Sequence, residues 1–301
     1  MDRIIGQYTG SEKGPLLIAV GGLHGNEHAG VEGIKRLLFL LNREEIINPG
    51  FVFKGEFIGI AGNKMALENK VRFIDKDLNR IWGTVGNQES AEEYGQMQTI
   101  MAIIEQSITT YAHTQVVLLD LHTTSAPRGI FAVPTDLEGS LYFAESLHCP
   151  VIINMMDELK GTMVGYYAGR IIGGSTISSL AFESGQHDDP LSITMSVAAL
   201  VNCLRSIGCV HEDDVEGKHD DVLKAYANGL PSKCRIIYKH HIQDASKYQM
   251  LPGFEGFQKI TAGQLLAYDD GVEVRAPMDG RILMPLYQQK GNEGFFIVDE
   301  G

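Results

Sequence analysis

The run GGLHGNEHAG at residues 21–30 places His24, Glu27 and His28 in a glycine-rich frame directly after the apolar residues 16–20. Two chemistries compete for it. In one, His24 and Glu27 are metal ligands. In the other, His24 and His28 coordinate zinc one helical turn apart and Glu27 is the base. The second needs a helix through residues 24–28. Gly25 and Asn26 inside that turn, preceded by Gly21-Gly22, make such a start poor, because glycine costs about 1 kcal/mol in a helix interior.

A catalytic zinc takes three protein ligands from histidine and carboxylate, keeps one position open, and needs a base for the attacking water. Three further segments place suitable polar residues after apolar runs: GNKMALENKVRFIDKDLNR after residues 56–61, His122 in VVLLDLHTT, and Glu183 in SSLAFESG. Ligands in open α/β sheets bind outside the carboxyl ends of strands, so these positions converge if the strands are neighbours. His24, Glu27 and His122 could then supply the ligands and Glu183 the base. Asp120 lies on the same strand face as His122 and could orient its ring.

The elements that must hold these residues are legible as short apolar runs at 16–20, 56–61, 116–121, 149–154 and 177–182, which read as buried strands. Stretches 30–42, 92–113 and 190–207 have helical length and spacing. Strands alternating with helices predict an α/β fold. Beyond about residue 229 the texture changes to CRIIYKHHIQ, GVEVRAP, GRILMPLY and GFFIVDE between Gly, Pro and Asp turns, which predicts a smaller β-rich domain. The expected division is residues 1–228 and 229–301, with the acidic stretch 211–221 as a solvated linker or helix start.

Composition bounds the function class. The chain has 301 residues, 44% hydrophobic and 21% charged, which is ordinary for a globular protein and allows one large or two moderate domains. A formal charge of −13 argues against a nucleic-acid surface. An acidic small substrate would have to be held by a few local arginines. Cys149, Cys203, Cys209 and Cys234 form no CxxC pair and no dense framework, which suits a reducing compartment. The start, MDRIIGQYTG, lacks a signal-peptide pattern, and no apolar run approaches the roughly 20 residues that span a bilayer. A cytoplasmic protein without membrane or nucleic-acid partners is expected, and homo-oligomerisation is compatible with the sequence.

Four blocks in order, GGLHGNEHAG, RFIDKDLNR, LLDLHTT and FESG, resemble the succinylglutamate desuccinylase and aspartoacylase family, a branch of the zinc carboxypeptidase superfamily. With the β-rich C-terminal part, the resemblance extends over nearly the whole chain. It implies a mixed-sheet zinc carboxypeptidase-like domain with a barrel-like C-terminal domain capping the site. It also implies one Zn2+ per chain on His24, Glu27 and His122, with Glu183 activating water and His28 outside the ligand set. By the same resemblance Arg72 polarises the scissile carbonyl, and Asn79 and Arg80 grip a substrate carboxylate. Asp75 and Asp77 are then structural partners of these arginines. Tyr287, in LMPLYQQKGNEGFF, is the candidate C-terminal tyrosine, and Arg170 and Arg128 are candidate readers of an acyl carboxylate. The implied activity is hydrolysis of the amide of a small acylated amino acid. Peptide trimming by a carboxypeptidase, or non-catalytic metal or ligand binding, are the alternatives.

Overall fold

The computed structural model describes residues 2–83, 91–110, 113–136, 138–215 and 218–301. The chain opens with β1 (Ile4–Thr9), β2 (Glu12–Gly21), α1 (Ala29–Ile47), β3 (Lys54–Ala61) and α2 (Lys64–Asn69). A 3-10 turn at Leu78–Arg80 precedes α3 (Glu92–Thr110), β4 (Val116–Thr124), β5 (Ile130–Pro134), α4 (Leu141–Ser146) and β6 (Val151–Ile152). Next come α5 (Met155–Glu158), α6 (Met163–Tyr167), β7 (Ile171–Ile172), β8 (Ser175–Gln186), α7 (Leu191–Ser206) and α8 (His219–Ala227). The C-terminal part holds β9 (Lys233–His241), β10 (Tyr248–Met250), β11 (Lys259–Ile260), β12 (Leu265–Asp269), β13 (Val272–Arg275), β14 (Gly280–Leu283) and β15 (Glu293–Glu300).

Among the described residues, a large mixed sheet runs in the order β1-β3-β2-β4-β8-β5-β6-β9-β15-β14-β11, with β7 on β8; β10-β12-β13 form a smaller antiparallel sheet. The mixed α/β class read from the sequence is therefore the observed one. The centre is parallel, β3, β2, β4 and β8 lying side by side. Such strands must be apolar on both faces, and β2 is: Leu17 and Ala19 join one core with Ile34, Leu37 and Leu41 of α1. Leu16, Ile18 and Val20 join the other with Ile100, Ile104 and Ile108 of α3. Fully burying one such leucine or isoleucine stabilises the fold by about 1.5–3 kcal/mol before conformational entropy is charged against it.

The expected strands at 16–20, 56–61, 116–121 and 177–182 fall inside β2, β3, β4 and β8, whereas the run 149–154 contracts to β6. The helical stretches become α1, α3 and α7; for 92–113, residues 111 and 112 lie outside the described residues. α8 starts within the acidic stretch 211–221. β5 is absent from the sequence-based expectation. It is five residues long, flanked by Gly129 and ending on Pro134, and is strand because it pairs antiparallel with β8. β9 joins β6 in parallel and carries β15, β14 and β11, so these C-terminal strands continue the large sheet. A third core, including Phe254, Leu266 and Phe295, underlies this end. No described helix is long and apolar enough to cross a membrane.

Candidate active site

β2 ends at Gly21, and the chain turns through His24 to Glu27, whose N–H donates to the His24 carbonyl at 3.1 Å. Gly25 is required there by contact: a Cβ would lie 2.0 Å from a backbone carbon of Ala66 in α2. Its N–H also donates to the Arg72 carbonyl at 3.1 Å, tying the turn to the arginine loop. α1 starts only at Ala29, with His28 exposed at its N-cap. No helix passes through residues 24–28, so the reading that pairs His24 with His28 lacks the geometry it needs.

Register brings the remaining residues together. His122 near the end of β4 is paired with Glu183 of β8, and Phe131 of β5 is paired with Glu183 on the other side. His24, Glu27 and His122 are buried, with one ligand atom from each within 4.8 Å of the others. Glu27 is the hub: Oε1 lies 2.8 Å from His24 Nδ1 and Oε2 lies 2.9 Å from His122 Nδ1. The outer ring nitrogens meet further carboxylates, His24 Nε2 at 3.0 Å from Asp77 and His122 Nε2 at 2.7 Å from Asp120. Imidazoles backed by carboxylates and facing a third donor are the arrangement that holds a divalent metal in a fixed tautomer. The donor set thus fits one metal ion.

Electrostatics agree with this geometry. Burial by itself would raise the Glu27 carboxyl, yet His24 and His122 outweigh it and hold the group well below the carboxylate range. Burial likewise opposes charge on His122, but Asp120 and Glu27 push its pKa well above the ordinary value. His24 is raised for the same reason, with burial and Arg72 opposing and Asp77 and Glu27 prevailing. A metal would displace the protons these rings hold, so its affinity must fall as pH falls.

The loop RFIDKDLNR carries Arg72, Asp77, Asn79 and Arg80. Arg72 donates to Glu27 at 3.3 Å and to Asp77 at 3.1 Å. Asn79 sits beside His122, Nδ2 to Nε2 3.3 Å, while its Oδ1 accepts from the Met163 N–H at 2.8 Å. Arg80 donates to Glu293 at 3.3 Å. Asp77 therefore serves both an arginine and His24. Asp75 departs from the expectation of an arginine partner, since its carboxylate accepts from the Glu92 N–H at 2.9 Å.

Glu93 organises this loop and is invisible to sequence reasoning. Fully buried, it accepts from the backbone N–H groups of Ile74 at 2.7 Å, Asp75 at 3.1 Å and Lys76 at 3.0 Å, and from Asn63 Nδ2 at 3.0 Å. Those amides lie between Arg72 and Asp77, so the carboxylate sets the path of the chain joining them. In the sequence Glu93 is one of two acids in the first turn of α3, an ordinary place for them, and nothing marks it apart from Glu92.

Glu183 is half-buried beside the three ligands, and its Oε2 is buried without a hydrogen-bond partner. Burial raises its pKa to about 7, with His122 and His24 pulling the other way and Glu27 and Asp120 adding to the rise. These residues line one cavity of about 850 Å3, open mouth included, together with Arg72, Asn79, Arg80, Thr123 and Gln288. That is the size class of small-molecule pockets. His187 braces the mouth, 2.7 Å from Thr123 Oγ1 and 3.2 Å from Gln288 Oε1, and Asn26 also donates to Gln288.

Three expected substrate contacts lie outside this cavity. The Tyr287 hydroxyl accepts from the Phe254 N–H at 2.9 Å and donates to the Leu251 carbonyl at 2.8 Å, tying two C-terminal loops together. Arg128 is exposed, adopts a left-handed φ of 56°, and pairs with Glu255 at 3.1 Å. Arg170 is exposed over the Tyr166 ring, 3.8 Å from its centroid, and bonds the Tyr166 carbonyl. Each side chain is occupied by a local partner that its position in the sequence does not reveal.

Comparison with known proteins gives consistent findings. The profile of the succinylglutamate desuccinylase/aspartoacylase catalytic domain matches residues 13–173. A succinylglutamate desuccinylase of Pseudoalteromonas atlantica is 24% identical, the match covering 89% of this chain and 76% of that one. An aspartoacylase of Xenopus tropicalis is 32% identical, over 83% and 82%. Among solved structures, a succinylglutamate desuccinylase/aspartoacylase from Rhodobacter sphaeroides superposes with a TM-score of 0.66 at 15% identity, covering 96% of this chain and 87% of that one. An ectoine utilization protein from Ruegeria pomeroyi, determined with product bound, gives 0.63 at 14% identity, over 97% and 86%. At these identities the structures speak for the fold.

Proposed function

The chain belongs to the succinylglutamate desuccinylase/aspartoacylase family, and on that premise we propose that it is a zinc-dependent hydrolase releasing an amino acid from its N-acyl derivative. The observation that carries the reading is the unpartnered Oε2 of Glu183 in the cavity that His24, Glu27 and His122 also line. A metal-binding protein has no use for an unsatisfied buried carboxyl there. A hydrolase needs one as its base.

His24, Glu27 and His122 would hold the ion, and nitrogen donors with a carboxylate suit zinc. When bound, zinc supplies Lewis acidity and makes water a nucleophile near neutral pH. Glu183 takes a proton from the water that adds to the amide carbon. It returns that proton to the nitrogen as the C–N bond breaks, leaving a carboxylic acid and an amine; the acid's proton then passes to the amine, giving a carboxylate and an ammonium group. Arg72, held by Glu27 and Asp77 at the cavity wall, offers a fixed cation to the oxygen on which negative charge develops. Arg80, with donors beyond those it gives to Glu293 and to the Asn79 carbonyl, and Asn79, through its Nδ2 amide group, bind the substrate carboxylate.

The test is release of amino acid from a panel of N-acetyl and N-succinyl amino acids, with unblocked dipeptides alongside and a chelator control. Chelator-sensitive cleavage confined to the acylated compounds is the expected result. Cleavage of the dipeptides instead would assign a carboxypeptidase, and zinc binding with no cleavage of either class would refute the hydrolase.

A further inference from the structure

One wall of the cavity beyond the ligands is apolar. Alternation along β8 puts Ala181 on the same face as Glu183, and Ala181 pairs with Val133 of β5 as Glu183 pairs with Phe131. From the Glu183 carboxyl the wall therefore continues as Phe131, Ala181 and Val133. Met155 and Met156 of α5 and Val164 of α6 line the same space.

This apolar wall and the Asn79–Arg80 pair form one unit. The segment joining α5 to α6 packs on the pair: Met163 N–H donates to Asn79 Oδ1 at 2.8 Å, and Trp82 N–H donates to the Gly161 carbonyl at 3.1 Å. A Cβ on Gly161, whose φ is +68°, would lie 2.2 Å from the Arg80 carbonyl oxygen. A substrate whose α-carboxylate rests on Asn79 and Arg80 thus lies beside the apolar wall.

The lining offers no spare cation for a second carboxylate. Among the described residues its lysine and arginine side chains are Arg72 and Arg80, the first paired with Glu27 and Asp77, the second with Glu293. Arg128 and Arg170 are engaged elsewhere, and Lys290 donates to the Phe73 carbonyl at 3.1 Å with its ammonium 4.2 Å from that ring's centroid. Residues 84–90, 111–112, 137 and 216–217 include no lysine or arginine. A carboxylate pressed against Val133 and Met156 would lose its hydration without gaining a partner.

From this juxtaposition we infer that the enzyme selects N-acyl amino acids whose own side chain is uncharged and apolar, of the leucine, methionine or phenylalanine class, and discriminates against aspartate and glutamate. The inference rests on the hydrolase reading and on Asn79 and Arg80 as the carboxylate grip. The two methionines, unbranched and flexible, suit a pocket that accepts several apolar shapes.

The zinc-loaded wild-type protein is assayed with N-acetyl-leucine, -methionine, -phenylalanine, -aspartate and -glutamate, and with leucine carrying acetyl, butyryl or succinyl groups. The expected kcat/KM for the best apolar substrate exceeds that for N-acetyl-aspartate by at least about 100-fold. A flat or reversed order across the amino acids overturns the inference, as does a rate that follows only the acyl group. If no compound turns over, the hydrolase reading fails, and calorimetric binding of N-acetyl-leucine against N-acetyl-aspartate decides the pocket. Tighter binding of the leucine compound supports the inference, and equal or weaker binding overturns it. Met156→Arg places a cation at the wall and should narrow the leucine-to-aspartate ratio at least about tenfold. Leu159→Arg repeats that test at a second half-buried position should the first variant not fold. An unchanged ratio in a folded variant counts against the pocket assignment.

Discussion

The two ends of the cavity are built on opposite principles. At the polar end every candidate ligand is held from more than one side: Glu27 by His24, His122, Arg72 and the Thr123 N–H, His122 by Glu27 and Asp120, and His24 by Glu27 and Asp77. At the apolar end the walls are side chains of a β5/β8 pair and two short helices, with no directional contacts to define a ligand's pose. The difference teaches how one pocket separates chemistry from selection. Charges in a low-dielectric site need fixed partners to keep their geometry, whereas an apolar wall selects by excluding what it cannot solvate. Glu183 stands at the junction, its Oε2 buried without a hydrogen-bond partner.

Breaking the junction should have the largest effect. Glu183→Gln keeps the shape of the side chain and removes its ability to take a proton, so kcat should fall by about 100-fold or more while metal content, read by atomic emission, stays at the wild-type level. A variant with near-normal kcat would remove Glu183 as the base. Loosening the polar end from behind comes next. Asp120→Asn takes the charge from the carboxylate 2.7 Å from His122 Nε2, and metal affinity, measured by competition with a chromogenic chelator, should drop about 10- to 100-fold. No change would mean that Asp120 does not orient the ring.

The pH profile sharpens the comparison at the junction. Glu183 must be ionised to act as a base, so activity is present above its pKa and falls about tenfold per unit below it. Burial lifts that pKa from 4.5 to about 7, and a bound cation favours the ionised form. The acid limb of kcat/KM should therefore lie between these two values, and a limb at or below 4.5 would contradict a desolvated base. Glu93→Gln should have the smallest effect. It replaces one acceptor of the loop amides with a donor, so the melting temperature should fall by the equivalent of about 1–3 kcal/mol and kcat/KM by several-fold, with zinc stoichiometry retained. Unaltered melting would show that the loop holds its path without Glu93.

Much of this is legible in the sequence alone. Apolar runs with glycine-rich ends mark β2, β3, β4 and β8 because a parallel strand buried on both faces has to be apolar throughout. Histidines and acids after those runs mark the candidate ligands, because strand carboxyl ends are where an open sheet gathers polar groups. The glycines of GGLHGNEHAG also disfavoured a helix through His28, and α1 begins after it.

What only the tertiary structure decided is direction and partnership. Residue type declares that Arg128, Arg170 and Tyr287 can bind a carboxylate; their backbone positions and the neighbours Glu255, Tyr166 and Leu251 commit them elsewhere. Glu93 looks like any acid at a helix start until the loop 74–76 folds onto it. The apolar wall is assembled from β5, β8, α5 and α6, whose residues are scattered from Phe131 to Glu183 and share no local motif. A sequence specifies which groups can interact, and long-range packing, by choosing their neighbours, determines which of them are spent on structure and which remain for a substrate.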